Sequence, residues 1–216
     1  IAQKAGVRFG FMLLFRFGCG IVFGMILSFI YSTFNMLQEP VQLSKAFVVH
    51  DPSWKAWVLN ELKNYMIIIC IIFSLILAMR ILELTGFMRR INQALHPIIK
   101  TLGISDEVLP ITLIGLTLGI AYGGGLVIEE SRRKQIKPKD IFYSLILMGL
   151  FHSIFEDTLL MLGMGGHYSG IIIFRFVMAF IITFAIVRLT KNMKDETFNR
   201  IFITKNYIKK IKTANV

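Results

Sequence analysis

Long apolar runs at 9–31, 64–87, 141–162 and 169–189 constrain this chain more than any other feature. Each has roughly the 20 residues that an α-helix needs to cross the hydrocarbon core of a bilayer. Lipid offers no hydrogen-bond partner to a backbone, so such runs are read as helices that satisfy themselves. Only 17% of the 216 residues are charged, where a soluble domain carries about a quarter. The expected fold is an all-α polytopic membrane protein. Residues 1–190 form a single transmembrane domain and 191–216 a basic cytoplasmic tail, with no separate globular module. Cys19 and Cys70 stand alone inside spans and read as small packing residues.

A fifth run, 108–128 (VLPITLIGLTLGIAYGGGLVI), is long enough to cross but contains Pro110 and glycines at 115, 119, 123, 124 and 125. Glycines permit a sharp reversal, so the segment is either a re-entrant hairpin or a fifth span with a small-residue packing face. Cytoplasmic loops hold an excess of Lys and Arg, and this bias helps to choose. With a hairpin, the N-terminus, 88–106, 129–140 and the tail from 188 share one side and hold 2, 3, 5 and 8 such residues, eighteen in all. The other side holds three. A full crossing weakens the contrast to sixteen against five. The expected architecture is therefore four transmembrane helices plus a glycine-rich hairpin, with both termini cytoplasmic.

Between spans, 89–102 (RRINQALHPIIKTL) places Ile91, Ala94, Leu95, Ile98 and Leu102 on one helical side and basic residues elsewhere, an amphipathic interfacial helix. Trp54 and Trp57 read as interface anchors. The net charge of +11 is explained by basic residues flanking apolar runs, and the basic tail by contact with anionic lipid. No phosphate-binding loop and no basic platform interleaved with aromatics is present, which excludes nucleotide hydrolysis and nucleic acid as a partner.

Within 141–162 the stretch FHSIFEDTLL carries His152, Ser153, Glu156 and Asp157. Ionisable residues at membrane depth are costly and functional by default. On one continuous helix His152/Glu156 and Ser153/Asp157 are i, i+4 pairs that form two adjacent rows. Arg175 lies about 9 Å into the following span, level with the two acids, at a rise of about 1.5 Å per residue. It is expected to pair with one of them. His152, Glu156 and Asp157 would suit a divalent metal ion, although ligands from one helix do not close a site. Arg16, about 10 Å inside the first span, is read as a snorkelling residue. Backbone amides around Tyr122, Gly123, Gly124 and Gly125 would offer an anion-binding concavity, and Gly119 is counted with them in the backbone of the hairpin's binding site.

The succession TGFMRRINQALHPIIKTLGISDEVLPITLIGLTLGIAYGGGLVIEES resembles the Gate, or nucleoside-recognition, family of membrane proteins, which includes segments of concentrative nucleoside transporters, the gates of ferrous iron transport protein B, and spore maturation proteins. The resemblance covers about 83–188. It implies a transporter or transporter subunit for a small polar or ionic solute in a bacterial cytoplasmic membrane, and no enzymatic activity. The large transporters carry two related halves and this chain shows no internal repeat, so a homodimer or a pairing with a related chain is expected. Two other classes compete: a membrane-embedded metal-dependent lipid hydrolase, and a noncatalytic partner of another membrane protein.

Overall fold

The computed structural model describes residues 1–37, 53–132, 136–163 and 165–208. Its helices follow the chain as α1 (Phe9–Thr33), α2 (Trp54–Leu84), α3 (Phe87–Lys100), α4 (Leu109–Thr117), α5 (Ile120–Arg132), α6 (Pro138–Leu150), α7 (Glu156–Gly163), α8 (Arg175–Lys191) and α9 (Asp195–Phe202). A π-helical stretch, Ser169–Phe174, leads directly into α8. Among the described residues the only β pairing is a single antiparallel bridge, Val7 to Ile203.

Among the described residues, three helices are long and apolar enough to cross a membrane: α1, α2 and the continuous stretch of 23 residues from Ser169 to Lys191. The chain is an integral membrane protein by this measure. α2 exposes apolar side chains such as Phe73 and Ile76, and α1 exposes Leu14 and Phe29 while packing Phe11, Phe15 and Phe23 against the core, as lipid-facing helices require. A left-handed Gly86 turns the chain from α2 into α3, which tucks Met88 and Ile99 inward.

α6 is the centre of the fold. Every residue from Ile141 to Leu150 is buried, enclosed by α1, α4, α5 and α8. Thr112 of α4 and Ser144 of α6 share a hydrogen bond of 2.7 Å between their hydroxyls, which satisfies two polar groups inside the apolar core.

The two ends of the chain lie together. The Arg8 N–H donates to the Phe202 carbonyl at 2.9 Å and the Thr204 N–H to that of Gly6 at 2.8 Å. Close by, Lys139 pairs with Asp195 at 2.7 Å and the Tyr143 hydroxyl bonds that of Thr190 at 2.9 Å, so the start of α6 shares this side. α9 packs Phe198, fully buried, against Phe142. Residues 195–208 of the basic tail are thus folded onto the helices, while 209–216 lie outside the described residues. In the first turn of α6, burial pushes the Asp140 carboxyl above its usual value; Ser105 and Lys137 oppose the shift.

α4 and α5 fold back on each other around Leu118 and Gly119. Gly115 and Gly123, four residues on either side of the reversal, meet so closely that a Cβ on Gly123 would run into the Gly115 backbone. Gly119 holds φ +94°, a conformation that costs a side-chain-bearing residue roughly 1–2 kcal/mol. At lengths of about 14 and 20 Å, α4 and α5 are each too short to cross the bilayer core of about 30 Å.

Candidate functional site

The run 141–162 is not one helix. α6 stops at Leu150, residues 151–155 are non-helical with Ser153 at φ +49°, and α7 begins at Glu156. No proline marks this break, and its only nearby glycine is Gly149, inside α6. Tertiary contacts hold it open instead. Arg175 Nε donates to the Leu150 carbonyl at 3.0 Å, and the Ile154 N–H donates to the Leu116 carbonyl of α4 at 3.1 Å. Two backbone groups that a continuous helix would pair internally are satisfied across the fold.

The second of these bonds joins the break to the tip of the α4–α5 hairpin. Gly119 presses against Ser153 so tightly that a Cβ there would strike the Ser153 hydroxyl. Ser153 therefore serves the junction and stands apart from the charged groups. Two interruptions, far apart in sequence, meet at one place.

A chain of polar side chains runs through this junction from α1 to α8. Arg16 Nη2 lies 2.6 Å from His152 Nε2. A guanidinium can only donate, so Nε2 accepts, and the proton of the neutral imidazole sits on Nδ1. That nitrogen is buried, 3.4 Å from Asp157 Oδ2, at ion-pair range but without hydrogen-bond geometry. Asp157 Oδ2 in turn accepts from Arg175 Nη1 at 3.0 Å. Arg175 is the first residue after the π-helical turn, and such turns recur at functional sites; its guanidinium also lies 5.7 Å from the Phe151 ring centre.

The broken helix revises the expected site in three ways. The i, i+4 rows do not exist, because His152 and Ser153 precede α7; His152 reaches Asp157, and Glu156 is exposed with no ion pair among the described residues. The metal set His152, Glu156, Asp157 is not assembled. Among the described residues no three His, Cys, Asp or Glu side chains gather in a ligand cluster, and Arg16 occupies the imidazole nitrogen that carries the lone pair. The amides of Gly123, Gly124 and Gly125 are not free to form the expected concavity, since these residues lie beyond the first three of α5 and the Gly123 N–H already bonds the Gly119 carbonyl at 3.1 Å. Gly123 serves helix contact and Gly124 lies against Ile1, while Gly125 faces open space. The Tyr122 side chain lies outside the described residues.

Arg16 is the residue that sequence reasoning set aside. Although exposed on α1, it also reaches the half-buried His152. The signal was present, because Arg16 is the only ionisable side chain from Phe9 to Thr33 apart from Cys19 and Tyr31. Beside it opens a cavity of about 290 Å³, lined by Arg16, Gly20, Phe23, Gly24, Leu27, Gly149, Leu150, Phe174 and Arg175.

Comparison with known proteins adds a membrane relative. The chain is 24% identical over 204 residues, 93% of its length, to a Bacillus subtilis (strain 168) protein named uncharacterized membrane protein YvoD. It spans 65% of that relative's length. No family model matches the chain, and no solved structure matches it.

Proposed function

We propose that this chain is a small membrane transporter, or a subunit of one, of the Gate type, carrying a small polar or ionic solute through the junction of the hairpin and the α6–α7 break. The observation that carries this reading is the meeting of two interrupted segments, through Ile154 to Leu116 and Gly119 to Ser153, at the place where Arg16, His152, Asp157 and Arg175 join. Irregular backbone is tolerated at membrane depth where it is buried in protein or lines a cavity, and transporter sites form at such discontinuities.

In this reading α1, α2 and α8 cross the membrane and α6–α7 crosses as an interrupted segment. α6 runs alongside α8 from the Tyr143–Thr190 contact to the Leu150–Arg175 contact. The hairpin enters from the side of the chain termini, which the Lys and Arg excess makes cytoplasmic, in a bacterial inner membrane. Two copies, or one copy and a related chain, enclose the pathway; this role is transport and not enzymatic catalysis.

The test is uptake by proteoliposomes, screened with small carboxylates, monovalent and divalent cations and nucleosides. Asp157→Asn, which removes the charge shared by His152 and Arg175, is expected to cut uptake of the carried solute at least tenfold while the protein still elutes as a single species. Undiminished uptake by a folded variant refutes the assignment of the pathway to this junction.

A further inference from the structure

The charges at the junction do not balance. Arg16 and Arg175 each carry one positive charge, Asp157 carries one negative charge, and His152 is neutral by its hydrogen bond to Arg16. Glu156 stands exposed and apart. One positive charge remains, on Arg16, which is exposed on α1 but lies within an apolar span, where charges are paired or functional. The cavity beside it is lined by both arginines and by no acidic residue.

The donors are also unspent. A guanidinium has five N–H groups; Arg16 uses one on His152, and Arg175 uses one on Leu150 and one on Asp157. Four and three remain. In the same cavity Phe23, Leu27 and Phe174 supply apolar wall, and Gly20, Gly24 and Gly149 add no side chain to fill it. A cation would face two guanidiniums. An uncharged solute would leave the excess charge uncompensated, and a compact inorganic anion such as phosphate would find no polar partner on the apolar wall.

We propose that the solute is a small organic monoanion, a carboxylate with an apolar body, whose head group lies between Arg16 and Arg175 and whose body rests on Phe23, Leu27 and Phe174. The planar fork of an arginine matches a carboxylate with two parallel hydrogen bonds. The inference rests on the transport reading of the same junction, and the two are separable by experiment.

Equilibrium dialysis of the detergent-purified full chain against radiolabelled benzoate and butyrate measures the site without requiring transport. Saturable binding is expected, weakened at least tenfold by Arg16→Gln. A second variant, Gly24→Leu, guards against misfolding, because a Cβ at Gly24 meets nothing within 4 Å and the added side chain enters the cavity; it too is expected to abolish binding with unchanged elution. Absent binding, binding that neither variant weakens, or stronger competition by inorganic phosphate, rubidium or uridine overturns the carboxylate assignment. Proteoliposome flux then separates the claims. Benzoate that binds but never crosses removes the transport reading and leaves the site, whereas flux of rubidium or uridine without carboxylate binding does the reverse.

Discussion

α2 and the α6–α7 segment have similar apolar character in the sequence, yet they are built in opposite ways. α2 runs unbroken for 31 residues with exposed Ile, Leu and Phe side chains along its length. α6 is buried from Ile141 to Leu150, and the helix opens for five residues before α7. The difference follows from what each backbone can bond to. A helix surrounded by lipid has no outside partner, so every N–H and C=O must close within the helix. A segment surrounded by protein can release a carbonyl to Arg175 and an amide N–H to Leu116, and so can open where a site is needed.

The sharpest way to break this contrast is to remove the outside partner. Arg175→Leu deprives the Leu150 carbonyl of its donor and Asp157 of its counter-charge at once, and loss of one partner from a buried pair costs about 3–5 kcal/mol; Asp157 and Arg175 are each 25% exposed, so about 3 kcal/mol is expected. Thermal unfolding in detergent checks it, with Arg188→Leu near the end of the same helix as a comparison expected to change little. Equal effects from the two variants would mean that Arg175 does not hold the break.

A smaller effect is expected at the hairpin tip. Gly119→Ala meets both the left-handed backbone and the Ser153 hydroxyl, for a loss of about 2 kcal/mol. Gly18→Ala in α1, where a Cβ meets nothing within 4 Å, is expected to gain a few tenths of a kcal/mol from helix propensity, up to about 1. Chemical denaturation of both variants measures the contrast, and a neutral Gly119→Ala would separate the hairpin from the break.

The smallest effect belongs to Asp140, at the edge of the buried segment. Its folded-state pKa is raised by burial, so its ionisation disfavours the folded state at neutral pH. The penalty vanishes as pH falls through the raised folded value towards the ordinary carboxyl range. Asp140→Asn should therefore melt slightly higher than wild type at pH 8, and the gap should close on acidification. A gap independent of pH would remove burial of the charge as its cause.

The parts of the fold that were legible are those that lipid dictates. Length and hydropathy identify α1, α2 and the Ser169–Lys191 helix, and the clustered glycines mark a reversal, which the structure places at Leu118 and Gly119. Counting depth from the ends of two neighbouring runs places Arg175 level with Asp157, and the structure pairs them at 3.0 Å. The break at 151–155 was not legible, since no local signal stops a helix at Phe151. Without it, Glu156 looks like a partner of His152, and nothing links Arg16 to that site.

Sequence alone therefore determined that the chain lives in a membrane, which segments are apolar enough to cross, and which few charges lie within them. Those properties follow from the transfer of side chains and backbone out of water, which each segment undergoes largely by itself. Tertiary structure decided which charges meet and where a helix opens. An open backbone is stable only when groups distant in sequence, here Leu116 and Arg175, arrive to bond it.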